Sequence, residues 1–235
     1  MVNVDVSEEL ELANKTSYKS YLIAGLLIVA ALPLINLMLW LNMQVDFPAL
    51  LGEFGTAIKE MEDMNTGLGK MLLPEPGDVK TLLLVIVVLG ITPAICEELV
   101  FRGVFQRILT ASFKNGHAGV WAAAFIFSAI HFQFYGFLPR LVLGAVLGYL
   151  FMYSRTLWVP MLGHAVNNTL SVLASYFQLN ESETLNTDTL GTSASDWLII
   201  VVSIVITVGL FIVFKKINKD IPQEPENTDN SALSA

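Results

Sequence analysis

The sequence predicts an all-α fold: a polytopic membrane bundle of about six transmembrane helices around a four-helix catalytic core. Three observations carry this. Hydrophobic residues are 54% of the 235 and charged residues only 14%, with a mean hydropathy of +0.61. A soluble domain carries roughly 25% charged residues, so this chain cannot cover a wet surface. The apolar residues fall into runs near the roughly 20 residues that cross a bilayer. All but two of the 21 acidic residues lie in the tails or in two polar loops, which leaves Glu97 and Glu98 inside apolar sequence.

These figures exclude a disordered, collagenous or disulfide-stapled chain and allow one compact bundle. The net charge of −8 sits on tails and loops, and no basic stripe suggests a nucleic-acid partner. The single Cys96 excludes an intramolecular disulfide and a Cys-rich metal site.

The elements follow in order. Residues 1–20 form an acidic tail without the features of a cleaved signal peptide, so 21–41 reads as a first, retained span. The loop 42–78 contains Phe54, Ile58, Met61, Met64, Leu68 and Met71 at helical spacing. They predict an amphipathic helix between Leu50 and Leu73, lying on the membrane surface or over the bundle. The second span, 79–111, would be about 50 Å long against a hydrocarbon core of roughly 30 Å, so it must protrude or break near Pro93. A turn from Lys114 to Gly119 leads to the third span, 118–134. The fourth, 137–154, carries Gly144 and Gly148 as a close-packing face. In the fifth, 157–177, Pro160 and Gly163 place His164 in the first turns. A polar loop (178–196), a last span (197–214) and a polar tail (215–235), expected to be disordered, complete the chain. Nine of the 13 Lys and Arg fall on the side of both termini, which predicts N-in and C-in.

Ionisable groups inside spans are costly and usually functional. Here they form three clusters. Glu98 and Arg102 are i, i+4 and can pair, while Glu97 points about 100° away and stays free. Phe127 and His131 share the predicted face of the third span. His164 and Asn168 share a face of the fifth. At about 1.5 Å rise per residue, Glu97 and His131 both lie roughly 20 Å from the turn between their spans. His164 and Asn168 lie roughly 11 and 17 Å along theirs, so one shared pocket is allowed.

Such a pocket has two chemistries open to it. A carboxylate and a neutral imidazole can deprotonate a water, while a second His and an Asn amide donate to an oxyanion. Alternatively Glu97, His131 and His164 could hold Zn²⁺ with an open position. Other hydrolytic schemes fail on inventory: no Asp lies in a span, and neither His-Glu-x-x-His nor Gly-x-Ser-x-Gly occurs. Cys96 reads as a small core residue, Ser128 as a hydroxyl satisfied within its helix, and His117 as a solvated turn residue.

Glu97-Glu98-x-x-x-Arg102, Phe127-x-x-x-His131 and His164-x-x-x-Asn168, in this order on separate helices, closely resemble the CAAX prenyl protease and bacteriocin-processing family of intramembrane proteases, also called Abi or lysostaphin-resistance-A-like. The resemblance covers roughly 79–177. It implies an intramembrane endopeptidase in which Glu97 and His131 activate water, His164 and Asn168 stabilise the oxyanion, and Glu98 and Arg102 orient the site. The family is conventionally termed metalloprotease, although a metal-free glutamate mechanism has a good case, so zinc or no cofactor is expected. The implied partners are a peptide or protein substrate, lipid-modified or membrane-associated, and the bilayer; the short chain resembles the smaller prokaryotic members, which implies a prokaryotic plasma membrane. The rival readings are a non-catalytic immunity or scaffold protein of the same fold, and a proton-coupled transporter. Against the transporter stand the small number of spans and the lack of an inverted repeat.

Overall fold

A computed structural model describes residues 14, 16–75, 77–180 and 197–219, and every regular element among them is helical. The first helix, α1 (Tyr18–Met43), is capped by Ser17, whose hydroxyl accepts the Lys19 N–H. The loop helix is two helices rather than one: α2 (Phe47–Leu51) and α3 (Glu53–Met71). Gly52, at φ +58°, separates them in a conformation that glycine adopts at little cost.

Helix α4 (Val79–Phe113) is capped by Asp78, whose carboxylate accepts the backbone N–H and the hydroxyl of Thr81. It does not break at Pro93. A π-helical stretch, Ile86–Ile91, immediately precedes the Thr92-Pro93 step, and a second spans Phe101–Gln106. The wider π turn ahead of Pro93 makes room for the proline ring, which has no N–H to donate, while the helix stays continuous. Lys114, left-handed at φ 51°, reverses the chain, and Asn115 caps α5 (Gly116–Ala129). Next come α6 (Phe137–Ser154), α7 (Trp158–Asn180) and α8 (Trp197–Ile217).

Four of these helical stretches are long and apolar enough to cross a membrane: α1, α4, Phe134–Ser154 and α8. The expected third span is corrected. Its helix stops at Ala129, and 14 residues reach only about 21 Å. Residues 130–136 form a strap instead, ending in a 3-10 turn, Phe134–Gly136. Helix α7 has the length to span but carries a polar face of His, Asn, Thr and Ser. At the C-terminal end, helix continues through residues 215–217, so the expected tail begins later; residues 220–235, like 1–13 and 181–196, lie outside the described residues.

One end of the bundle gathers the beginning of α1 and the end of α8. The buried Asn218 accepts hydrogen bonds from Thr16 and Ser20 and donates to the Phe214 carbonyl. The Asn14 amide donates to the Arg155 carbonyl at 2.7 Å, and Lys215 lies over Tyr153. The opposite end gathers α2, α3 and the strap. There Asn42 donates to the Phe134 carbonyl, and Phe47 packs edge-on against Phe134 and Tyr135. Between the two ends, Ala24, Ile28, Leu143, Leu147, Leu150, Val159 and Phe214 form the central apolar cluster.

Candidate active site

The site is built from three helices and the strap. On α4, successive residues turn by about 100°, so Glu98 faces inward while Glu97 faces His131 and His164. Glu98 is fully buried; its Oε1 accepts from Arg102 Nη1 at 2.5 Å and from His164 Nδ1 at 2.8 Å. Arg102, also buried, donates its other arm to the Gly144 carbonyl at 2.9 Å. One turn on, buried Gln106 donates to the Gly148 carbonyl at 3.0 Å. The small residues on α6 thus do more than let helices approach, because they also expose carbonyls to two polar side chains of α4.

His131 is not on the face of a helix. It lies two residues past the end of α5, followed by Phe132 at φ +53°. This is a correction, but Phe127 and His131 still meet. His131 Nδ1 sits 2.6 Å from the Phe127 carbonyl, which can only accept, so Nδ1 carries the proton and Nε2 carries the lone pair. That Nε2 points to Glu97 Oε1 at 3.9 Å, and His164 Nε2 stands 3.6 Å from Glu97 Oε2. Glu97 and His131 are partly exposed, whereas His164 is buried. The Phe127 ring packs edge-on against both imidazoles and lies under the Arg102 guanidinium.

Five of the six sequence-nominated residues therefore touch one another or a shared neighbour. Asn168 lies one turn beyond His164. Its amide reaches the Gly90 carbonyl, in the first π stretch, at 3.5 Å, and its carbonyl accepts from Asn167 at 3.3 Å. Three minor expectations are corrected. Cys96 is exposed on the outside of α4 because it precedes Glu97 on the opposite side of the inward face. Ser128 donates across the strap to the Phe137 carbonyl at 2.7 Å rather than within its own helix. His117 belongs to the first turn of α5 and meets the Tyr149 hydroxyl at 3.1 Å, although it stays exposed.

The strap that carries His131 is held by residues the sequence reading passed over. Asn42 binds it from α1, and Arg140 holds Gln133 through two hydrogen bonds. Gln106 could have been nominated, since it is i+4 from Arg102 on an inward face; Asn42 and Gln133 gave no local signal. Zinc would take Glu97, His131 and His164, an apt set by chemistry. Among the described residues, however, no three of His, Cys, Asp and Glu stand close enough to hold a metal ion.

Residues 79–170, from the start of α4 into α7, match the family described as Rce1-like, type II CAAX prenyl endopeptidase. The matched stretch is under half of the chain, so the likeness is one of this segment. The match takes in all six nominated residues and stops short of α1, α2, α3 and α8. The chain is also similar to the uncharacterized protein YpbD of Bacillus subtilis (strain 168), at 32% identity over 85 residues. That stretch is 34% of this chain and 40% of YpbD, so this chain spans well under half of that relative. No solved structure gives a significant match.

Proposed function

We propose that the protein is an intramembrane endopeptidase that hydrolyses a peptide bond with a water activated by Glu97 and His131. The observation that carries this reading is the gap between the Glu97 carboxylate and the His131 Nε2 lone pair, 3.9 Å wide. Both edges accept hydrogen bonds and neither donates. A water donating one proton to each fits a polar separation of that size. Its oxygen attacks the carbonyl carbon, Glu97 takes the proton, and the same proton passes to the leaving nitrogen as the C–N bond breaks.

His164 supports the oxyanion in this scheme. In this scheme His164 carries a proton on both ring nitrogens: Nδ1–H is donated to Glu98 and Nε2–H to the developing oxyanion, joined by the Asn168 amide. Glu98 and Arg102 fix the ring of His164 and the face of α4. The scheme uses only the chain's own side chains to activate the water; sensitivity to a chelator distinguishes it from activation on a metal. The substrate is a peptide or protein segment at the membrane. The membrane in this reading is a prokaryotic plasma membrane, and the Lys and Arg distribution favours its cytoplasmic side for both described chain ends.

The test is cleavage of a quenched-fluorescent peptide library by the detergent-purified protein. Glu97→Gln and His131→Ala should each lower the rate by about 10²–10⁴-fold, the usual yield of general acid–base catalysis, with folding intact. Full cleavage by Glu97→Gln would refute the site assignment, whereas a biological activity that tolerates Glu97→Gln in a protein without cleavage would favour an immunity or scaffold role. Cleavage should survive a strong chelator; its loss and recovery on adding Zn²⁺ would move water activation to a metal.

A further inference from the structure

Arg140 is a charge beside the site to which the proposed reaction gives no task. It lies in the first turn of α6, and its guanidinium rests over Gly136, where an added Cβ would come within 3.0 Å of Nη2. A side chain at 136 would push the guanidinium away, so the strap is shaped to receive it. Its two hydrogen bonds go to neutral partners, Nη1 to the Gln133 carbonyl at 3.3 Å and Nη2 to Gln133 Oε1 at 2.5 Å. Among the described residues no carboxylate lies within ion-pair distance of it. Yet Arg140 is within electrostatic reach of Glu97 and His131 in the site and of Glu62 on α3. Glu62 does not neutralise it closely: burial holds the Glu62 carboxyl above its usual range despite the attraction of Arg140.

A guanidinium has five N–H donors in a planar fork, and Gln133 engages only part of it. The fork suits a carboxylate, and charge assistance makes such bonds strong. A peptide carboxylate approaching this mouth meets repulsion from Glu97 and Glu62, which a cation at this point offsets. We propose that Arg140 is a specificity-determining residue that takes a carboxylate of the bound peptide, either its terminal carboxylate or an acidic side chain. Because Arg140 grips the strap that carries His131, an anchored peptide lies beside Glu97. The proposal rests on the peptidase reading for its consequence, though not for its measurement.

The measurement is equilibrium binding to Glu97→Gln protein in detergent micelles, so that no turnover intrudes. The probes are fluorescent pentapeptide pools of matched composition: terminal acid against terminal amide, and Glu- or Asp-containing against Gln- or Asn-containing. The carboxylate-bearing pool in one of these comparisons should bind about tenfold tighter. Arg140→Gln should abolish that preference, Arg140→Lys should restore part of it, and Gln133→Ala should keep it. Which comparison shows the effect identifies the source of the carboxylate. The proposal is overturned if the parent shows no preference, if the preference survives Arg140→Gln, or if Arg140→Gln weakens charged and neutral pools equally, as a merely structural role would. If the preference depends on Arg140 while the wild-type protein cleaves none of the peptides, the anion site stands and the peptidase reading falls.

Discussion

Two adjacent residues of one type have different environments and so different expected roles. Glu98 is buried between Arg102 and His164, while Glu97 is partly exposed and faces the two imidazoles. Removing one partner of a buried charge pair leaves the other uncompensated, at a cost of about 3–5 kcal/mol. Glu98→Ala should therefore lower thermal stability by an amount of that order, measured by unfolding in detergent. Glu97→Gln should change stability by no more than about 1 kcal/mol while cleavage is lost. Phe127 belongs to the same scale. Its ring contacts both imidazoles and Arg102, so Phe127→Ala should cost about 3–5 kcal/mol and loosen the whole site.

Helix contacts decide whether those residues meet. At Gly144 an added Cβ would stand 3.1 Å from the Phe127 ring and 3.2 Å from the Ala124 backbone, so α5 and α6 would have to separate. Gly144→Ala should cost about 1–3 kcal/mol by overpacking and reduce cleavage through the displaced Phe127, as thermal unfolding and rate measurements on one preparation can show. Helix α3 offers a pH test. Burial raises the Glu62 carboxyl above its ordinary range, and the Arg140 attraction only partly counters this. A raised folded-state value favours the docked helix while Glu62 is protonated, and this contribution is lost as pH rises through the carboxylate range. Hydrogen exchange within Glu53–Met71 should therefore show tighter docking at acid pH, and Glu62→Gln should make docking independent of pH over that interval.

Across the molecule, the described ends of the chain are tied together far from the site. Asn218 joins Thr16, Ser20 and Phe214 in one buried polar knot between α1 and α8. Asn218→Ala removes these hydrogen bonds and leaves the buried Ser20 hydroxyl poorly satisfied, which should cost about 1–3 kcal/mol. Because the knot is at the opposite end from the strap, the activity of molecules that remain folded should be unchanged. Measuring residual cleavage beside thermal stability separates the two effects.

The membrane class, the α-helical architecture and the identity of the polar clusters were legible in the sequence. In a bilayer every backbone group must be paired within its own segment, so apolar runs read directly as helices. Scarce charges inside such runs stand out for the same energetic reason. The i, i+4 pairing of Glu98 with Arg102 was legible too, because it is local to one helix. Only the tertiary structure decided that α5 stops before His131 and that a strap, held from α1 and α6, turns that imidazole to Glu97. It also decided that Glu98 serves His164 as well as Arg102. These outcomes depend on partners 66 or 92 positions away in the chain, and helical periodicity carries no information about which distant face it will meet.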